Sequence, residues 1–131
     1  MDALLRLDKT IEESGLENSL INLVKIRASQ INHCAFCIDL HTRHARAAGE
    51  TERRLYHLSA WRDSSLFDEG ERAALGWTEA LTRIADYHRP DDLFEALRKH
   101  FADAEIAYLT ALIGLINAWN RLAVALAYEH G

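Results

Sequence analysis

Only two cysteines and one proline occur in the 131 residues of this chain. Two cysteines cannot build the multi-bridge framework of a small secreted domain, and a single proline leaves long stretches free to run as helix. Glycine is sparse too. Gly15, Gly49, Gly70, Gly76, Gly114 and Gly131 fall mostly between or beside periodic segments, and no segment has linker composition. Basic residues are outnumbered, 15 Lys and Arg against 20 Asp and Glu, for a formal net charge of -5. That balance excludes the clustered basic surface from which phosphate binding draws its affinity, so no nucleic-acid partner is expected. The densest basic group, Arg43, Arg46, Arg53 and Arg54, is interrupted by Glu50 and Glu52 and reads as a solvated helix face. The longest charge-free run, residues 106–120, is short of the roughly 20 residues that cross a bilayer, so no membrane partner is expected. Residues 1–7 include Asp2 and Arg6 and no apolar signal core follows, which predicts a cytoplasmic protein.

What is present is helical periodicity. With 49% apolar and 27% charged residues, the chain fits one globular domain over residues 1–131. A first helix is predicted over 2–14, with Leu4, Leu5, Leu7 and Ile11 on one side and Gly15 as its stop. A second spans 18–30 through Leu20, Leu23 and Val24. Cys34 opens a third that reaches 48, with Gly49 at the left-handed cap. A short helix over 51–61 precedes a polar connection, and Asp68 with Glu71 forms a capping box for a long helix to about 88. Pro90 ends that helix and permits another from Asp91, carrying Leu93, Phe94 and Leu97. The last helix, 103–129, is apolar on most of its circumference. No strand-like alternation occurs, so the fold class is all-α with about six to seven helices. So broad an apolar helix in so short a chain predicts self-association. Trp61, Trp77 and Trp119 read as core or interface packing rather than a cofactor box.

The chemistry concentrates at Cys34 and Cys37, three residues apart at the N-terminus of a helix. Such a pair can open and close a disulfide, and a thiolate in the first helical turn is stabilised by free amides and the helix dipole. At 100° per residue, His41 falls in the same roughly 60° sector as both cysteines. It can take a thiol proton, pair with the thiolate, or protonate a leaving hydroxide; the alternative is a packed, hydrogen-bonded histidine. Zinc is the competing use of Cys34, Cys37, His41 and His44, but the short gap between second Cys and first His opposes a closed tetrahedron. No metal and no cofactor are therefore expected. The other histidines, His33, His44, His57, His88, His100 and His130, are dispersed, and most are expected to face solvent.

Residues 23–41, LVKIRASQINHCAFCIDLH, resemble the core signature of the alkylhydroperoxidase D (AhpD)-like proteins of the carboxymuconolactone decarboxylase superfamily. The stretches AAGE at 47–50, LSAWR at 58–62, ERAAL at 71–75, WTEALT at 77–82 and INAWNR at 116–121 extend the resemblance over nearly the whole chain. The resemblance implies an all-helical fold that assembles as trimers or hexamers. It also implies a cofactorless thiol peroxidase or disulfide reductase that acts on hydroperoxides and is recycled by a dithiol or lipoyl-bearing reductant. By the same token Cys37 attacks the peroxide, Cys34 resolves the product into a disulfide, and His41 belongs to a proton relay. The family's decarboxylase branch generally lacks the cysteine pair. One position departs from the pattern: the usual relay glutamate, twelve residues before the first cysteine, is Asn22. An amide cannot accept a proton as a carboxylate does. The alternative this raises is a redox-responsive assembly or interaction protein with weak or no peroxidase turnover.

Overall fold

In the computed structural model, residues 1–87 and 91–129 are described. Among them are seven α-helices and no strands: α1 Asp2–Glu12, α2 Asn18–Ile31, α3 Ala35–Ala47, α4 Glu52–His57, α5 Glu69–Thr82, α6 Asp91–Arg98 and α7 Asp103–Ala125. No helix among the described residues is long and apolar enough to cross a membrane.

Helix α2 is the axis of the fold, packed against α3, α5 and α7. Its sequence is apolar on more than one face, and Ile21, Leu23, Val24, Ile26 and Ala28 are all buried. Ile11 of α1 is fully buried among Leu20, Val24 and the α7 residues Leu109 and Ile113, which anchors α1 across the same side. Truncating any one such Leu or Ile to Ala costs about 2–5 kcal/mol, so each contributes substantially to holding its helix against the next.

Three helix ends differ from the sequence reading, each for a local reason. The predicted helix over 51–61 gives way at Leu58 to a 3₁₀ segment, Leu58–Asp63, with Ala60 outside helical geometry. The Arg72 guanidinium takes over the carbonyls this frees, donating to Trp61 O and Ser64 O at 3.0 Å and to Arg62 O at 3.1 Å. Helix α5 has the predicted capping box at Asp68 and Glu71 but stops at Thr82. Ile84 and Tyr87 beyond it are exposed, so no apolar face remains to hold an extension. His88 and Pro90, where the sequence placed the stop, lie outside the described residues. Helix α7 ends at Ala125 rather than 129, because Ala127 turns left-handed (φ 52°) and Tyr128 N–H donates back to Ala123 O at 2.9 Å. This is a Schellman closure built on alanine instead of glycine, and it swings Tyr128 back toward α3.

Candidate active site

Helix α2 also ends in a Schellman closure: His33 N–H donates to Gln30 O at 3.2 Å and Cys34 N–H to Ser29 O at 3.0 Å. His33 carries the left-handed turn at φ 55°, a conformation uncommon for a side-chain-bearing residue. The turn delivers Cys34 as the N-cap of α3, where its sulfur accepts the Cys37 N–H at 3.3 Å. Behind it, Asn120 donates to Ser29 Oγ, and Asn32 donates to the side-chain oxygens of Asn117 and Asn120, all at 2.9 Å. These bonds tie the end of α2 to α7 and fix the base on which the cysteines sit.

Cys34 and Cys37 are joined as a disulfide with their Cα atoms 5.3 Å apart. Both are buried, but their surroundings differ. Cys37 borders a cavity of about 360 Å³ together with His41, whereas Cys34 is not part of its lining. Its apolar lining is Leu5, Phe36, Leu40, Trp119, Ala123 and Tyr128, with Tyr128 packed edge-on against Phe36 at 5.4 Å. Its polar lining is Asp8 and Glu12 from α1, Lys25 from α2, and His41 and His44 from α3. Trp119, which the sequence assigned to packing, therefore doubles as cavity wall.

His41 is buried, and its Nδ1 has no hydrogen-bond partner among the described residues. Burial, with the neighbouring positive charges of Lys25 and His44, lowers its pKa from 6.5 to about 4, against a smaller opposing pull from Asp8. The imidazole is neutral at pH 7 and can accept a proton, but it is no standing cation. A buried cation in the lining is Lys25, whose Nζ donates to Asp8 Oδ1 at 2.7 Å and whose side chain is 7% exposed.

Asn22, one turn of α2 before Lys25, opens onto an adjoining groove with Asn18 and Ala48, which shares Glu12 and His44 with the Cys37 cavity. Cys37 and His41 thus line one cavity, Cys34 is not in its lining, and Asn22 lines the groove that adjoins it. Among the described residues no group of three or more His, Cys, Asp or Glu is placed to hold a metal ion, and Cys34 is not in the lining of the cavity that Cys37, His41 and His44 share. Of the other histidines, His33, His44 and His100 are exposed, His57 pairs with Ser64 Oγ at 2.9 Å, and His88 and His130 lie outside the described residues. The sequence reading missed Asp8 and Lys25. Lys25 left one signal, a charge inside the otherwise apolar run Leu23, Val24, Ile26; Asp8 left none.

Comparison with known proteins shows what the chain is similar to. The carboxymuconolactone decarboxylase family profile matches residues 1–80. The uncharacterized protein YdfG of Bacillus subtilis is 39% identical over 126 residues, 96% of this chain and 86% of the relative. The crystal structure of ATU0492 from Agrobacterium tumefaciens, a protein of unknown function described as a candidate antioxidant defence protein AhpD, superposes with a TM-score of 0.95 at 47% identity. That match covers 99% of this chain and 89% of that one. The debrominase Bmp8 shares the fold alone, with a TM-score of 0.87 at 19% identity over 98% of this chain and 69% of that one. With the cysteine pair inside the matched residues and the helical fold shared from end to end, this chain belongs to the carboxymuconolactone decarboxylase family, among its AhpD-like members.

Proposed function

We infer that the protein is a thiol oxidoreductase that reduces hydroperoxides through a Cys34–Cys37 dithiol–disulfide cycle. The carrying observation is the asymmetry of the pair: Cys37 borders the cavity a substrate can occupy, and Cys34 sits behind it. In the reduced protein the Cys37 thiol gives its proton to the neutral His41 imidazole. The thiolate attacks the terminal peroxide oxygen, the O–O bond breaks, and the alkoxide that leaves takes the proton from His41. Sulfur is oxidised by two electrons to the sulfenic acid while the hydroperoxide is reduced to an alcohol. The Cys34 thiol then attacks Cys37, releasing water and forming the disulfide. A dithiol reductant closes the cycle by exchange. Because neither sulfur reaches the surface, a slender arm such as a lipoyl group fits this step better than a folded protein's exposed pair. Antioxidant chemistry of this kind agrees with the description of ATU0492.

Self-association belongs to the same proposal, since Leu5, Val124 and Leu126 are exposed apolar side chains that an assembly of copies would cover. The Phe36–Tyr128 contact favours a second reading, because it links the residue between the cysteines to the end of α7, where Val124 and Leu126 lie. Opening the disulfide could there alter an interface rather than drive turnover.

The test is to mix pre-reduced protein with hydrogen peroxide or cumene hydroperoxide and follow thiol loss and intact mass together. The proposal expects loss of two thiols and a mass decrease of two protons, faster than free cysteine reacts. Reaction no faster than free cysteine, with a change of oligomer size between the reduced and oxidised protein, favours the second reading.

A further inference from the structure

The neutral His41 leaves a gap in the chemistry, because a thiolate formed in a buried cavity needs a positive charge to hold it. Among the described residues, few charged and titratable groups line the cavity that Cys37 borders. Helix α1 brings Asp8 and Glu12, α2 brings Lys25, α3 brings His41 and His44, and the segment after α7 brings Tyr128; α7 itself contributes only Trp119 and Ala123. His44 is exposed at the rim, and His41 has no bonded carboxylate to hold a proton on it. Among the described residues, Lys25 is the remaining cation, buried at 5% exposure and held by Asp8 at 2.7 Å. An ammonium has three donor hydrogens, and Asp8 is the one acceptor Lys25 has among the described residues, so donor capacity remains on a side chain that lines the same cavity as Cys37.

We propose that the Asp8–Lys25 ion pair, rather than an acid at position 22, is the charge device of this site: Lys25 stabilises the Cys37 thiolate, and Asp8 tunes how strongly. The two partners act with opposite sign. A lysine fully neutralised by its carboxylate offers Cys37 little field, and a lysine freed of it offers more. Lys25 is a positioning and electrostatic residue in this scheme, acting on the thiol before any substrate arrives. The scheme rests on Cys37 as the reacting thiol, yet it concerns ionisation and not turnover.

The experiment measures the thiol pKa of Cys37 directly, from the pH dependence of iodoacetamide alkylation in the reduced Cys34→Ser chain, which leaves one thiol to follow. Lys25→Met added to that background should raise the thiol pKa, the direction expected from removing an opposite charge that lines the same cavity. Asp8→Asn, nearly isosteric and at a partly exposed carboxylate, should lower it, and Lys25→Arg should stay close to the parent. A purely structural ion pair would not give shifts of opposite sign. If Lys25→Met does not fold, Asp8→Asn decides alone: a downward shift supports the device, and no shift or an upward one overturns it. Hydroperoxide reactivity measured in parallel separates this from the function proposed above. Opposite-signed pKa shifts with no peroxide reaction would keep the charge device and remove the peroxidase.

Discussion

Replacing His41 by Gln should change how the protein's stability responds to acid, in a direction and size that follow from its burial. An unfolded chain protonates this histidine near 6.5, whereas the folded protein does so only at about 4, because burial and the charges of Lys25 and His44 oppose the imidazolium. Between those values the unfolded state binds the extra proton, so stability falls as pH falls through the window and is fully reduced below about 4. At about 1.4 kcal/mol per pH unit, the difference amounts to about 3 kcal/mol, a large share of the roughly 5–15 kcal/mol that holds a typical domain folded. Glutamine does not titrate and should remove that loss. Urea unfolding of the oxidised protein at pH 7, 6, 5 and 4 gives the comparison, provided the transitions are two-state. Other acid-sensitive groups are common to both proteins, so the difference in slope isolates His41. One of them is Glu79, whose burial alone would raise its carboxyl but whose hydrogen bonds from Arg62, Trp61 and Arg27 hold it below the usual range. Parallel stability curves for wild type and His41→Gln would refute the claim that the imidazole is kept neutral by its site.

Glu79→Gln should cost about 3 kcal/mol at pH 7, because it leaves the Arg27 guanidinium, 12% exposed, without its charge partner; chemical denaturation reads the loss. A loss near zero would mean that Arg27 finds water instead. His33→Gly should keep or raise stability, whereas His33→Val should lose about 1 kcal/mol or more, since φ 55° suits glycine and opposes a β-branched residue. Equal melting temperatures for the two variants would contradict this. Asn22→Glu adds its carboxylate to the adjoining groove and not to the lining of the Cys37 cavity itself, so Cys37 oxidation at pH 7 should change by less than about twofold. A tenfold acceleration in stopped-flow thiol assays would place the relay through position 22 after all.

Helix content and the cysteine–histidine grouping were legible in the sequence because both depend on near neighbours. The 3.6-residue period marks α1, α2 and α7, and the three-residue gap alone puts Cys34 and Cys37 in one turn. What escaped was set by distant partners. Asp8 reaches Lys25 across 17 residues, and nothing in α1 distinguishes it from its other surface acids. The break after His57 is completed by Arg72, which sits in another helix, and no propensity at 58–63 announces it. Ala127 closes α7 in the geometry usually left to glycine, so the turn that brings Tyr128 onto Phe36 had no residue to mark it.

The central claim is that the sulfur facing the cavity is the one that attacks. Reduced Cys34→Ser protein, treated with cumene hydroperoxide in the presence of dimedone and mapped by peptide mass spectrometry, tests it most directly. The account predicts a stoichiometric sulfenic-acid adduct on Cys37, persisting because no resolving thiol remains. No adduct on Cys37, together with a Cys37→Ser protein that is oxidised at Cys34 at the wild-type rate, would contradict it.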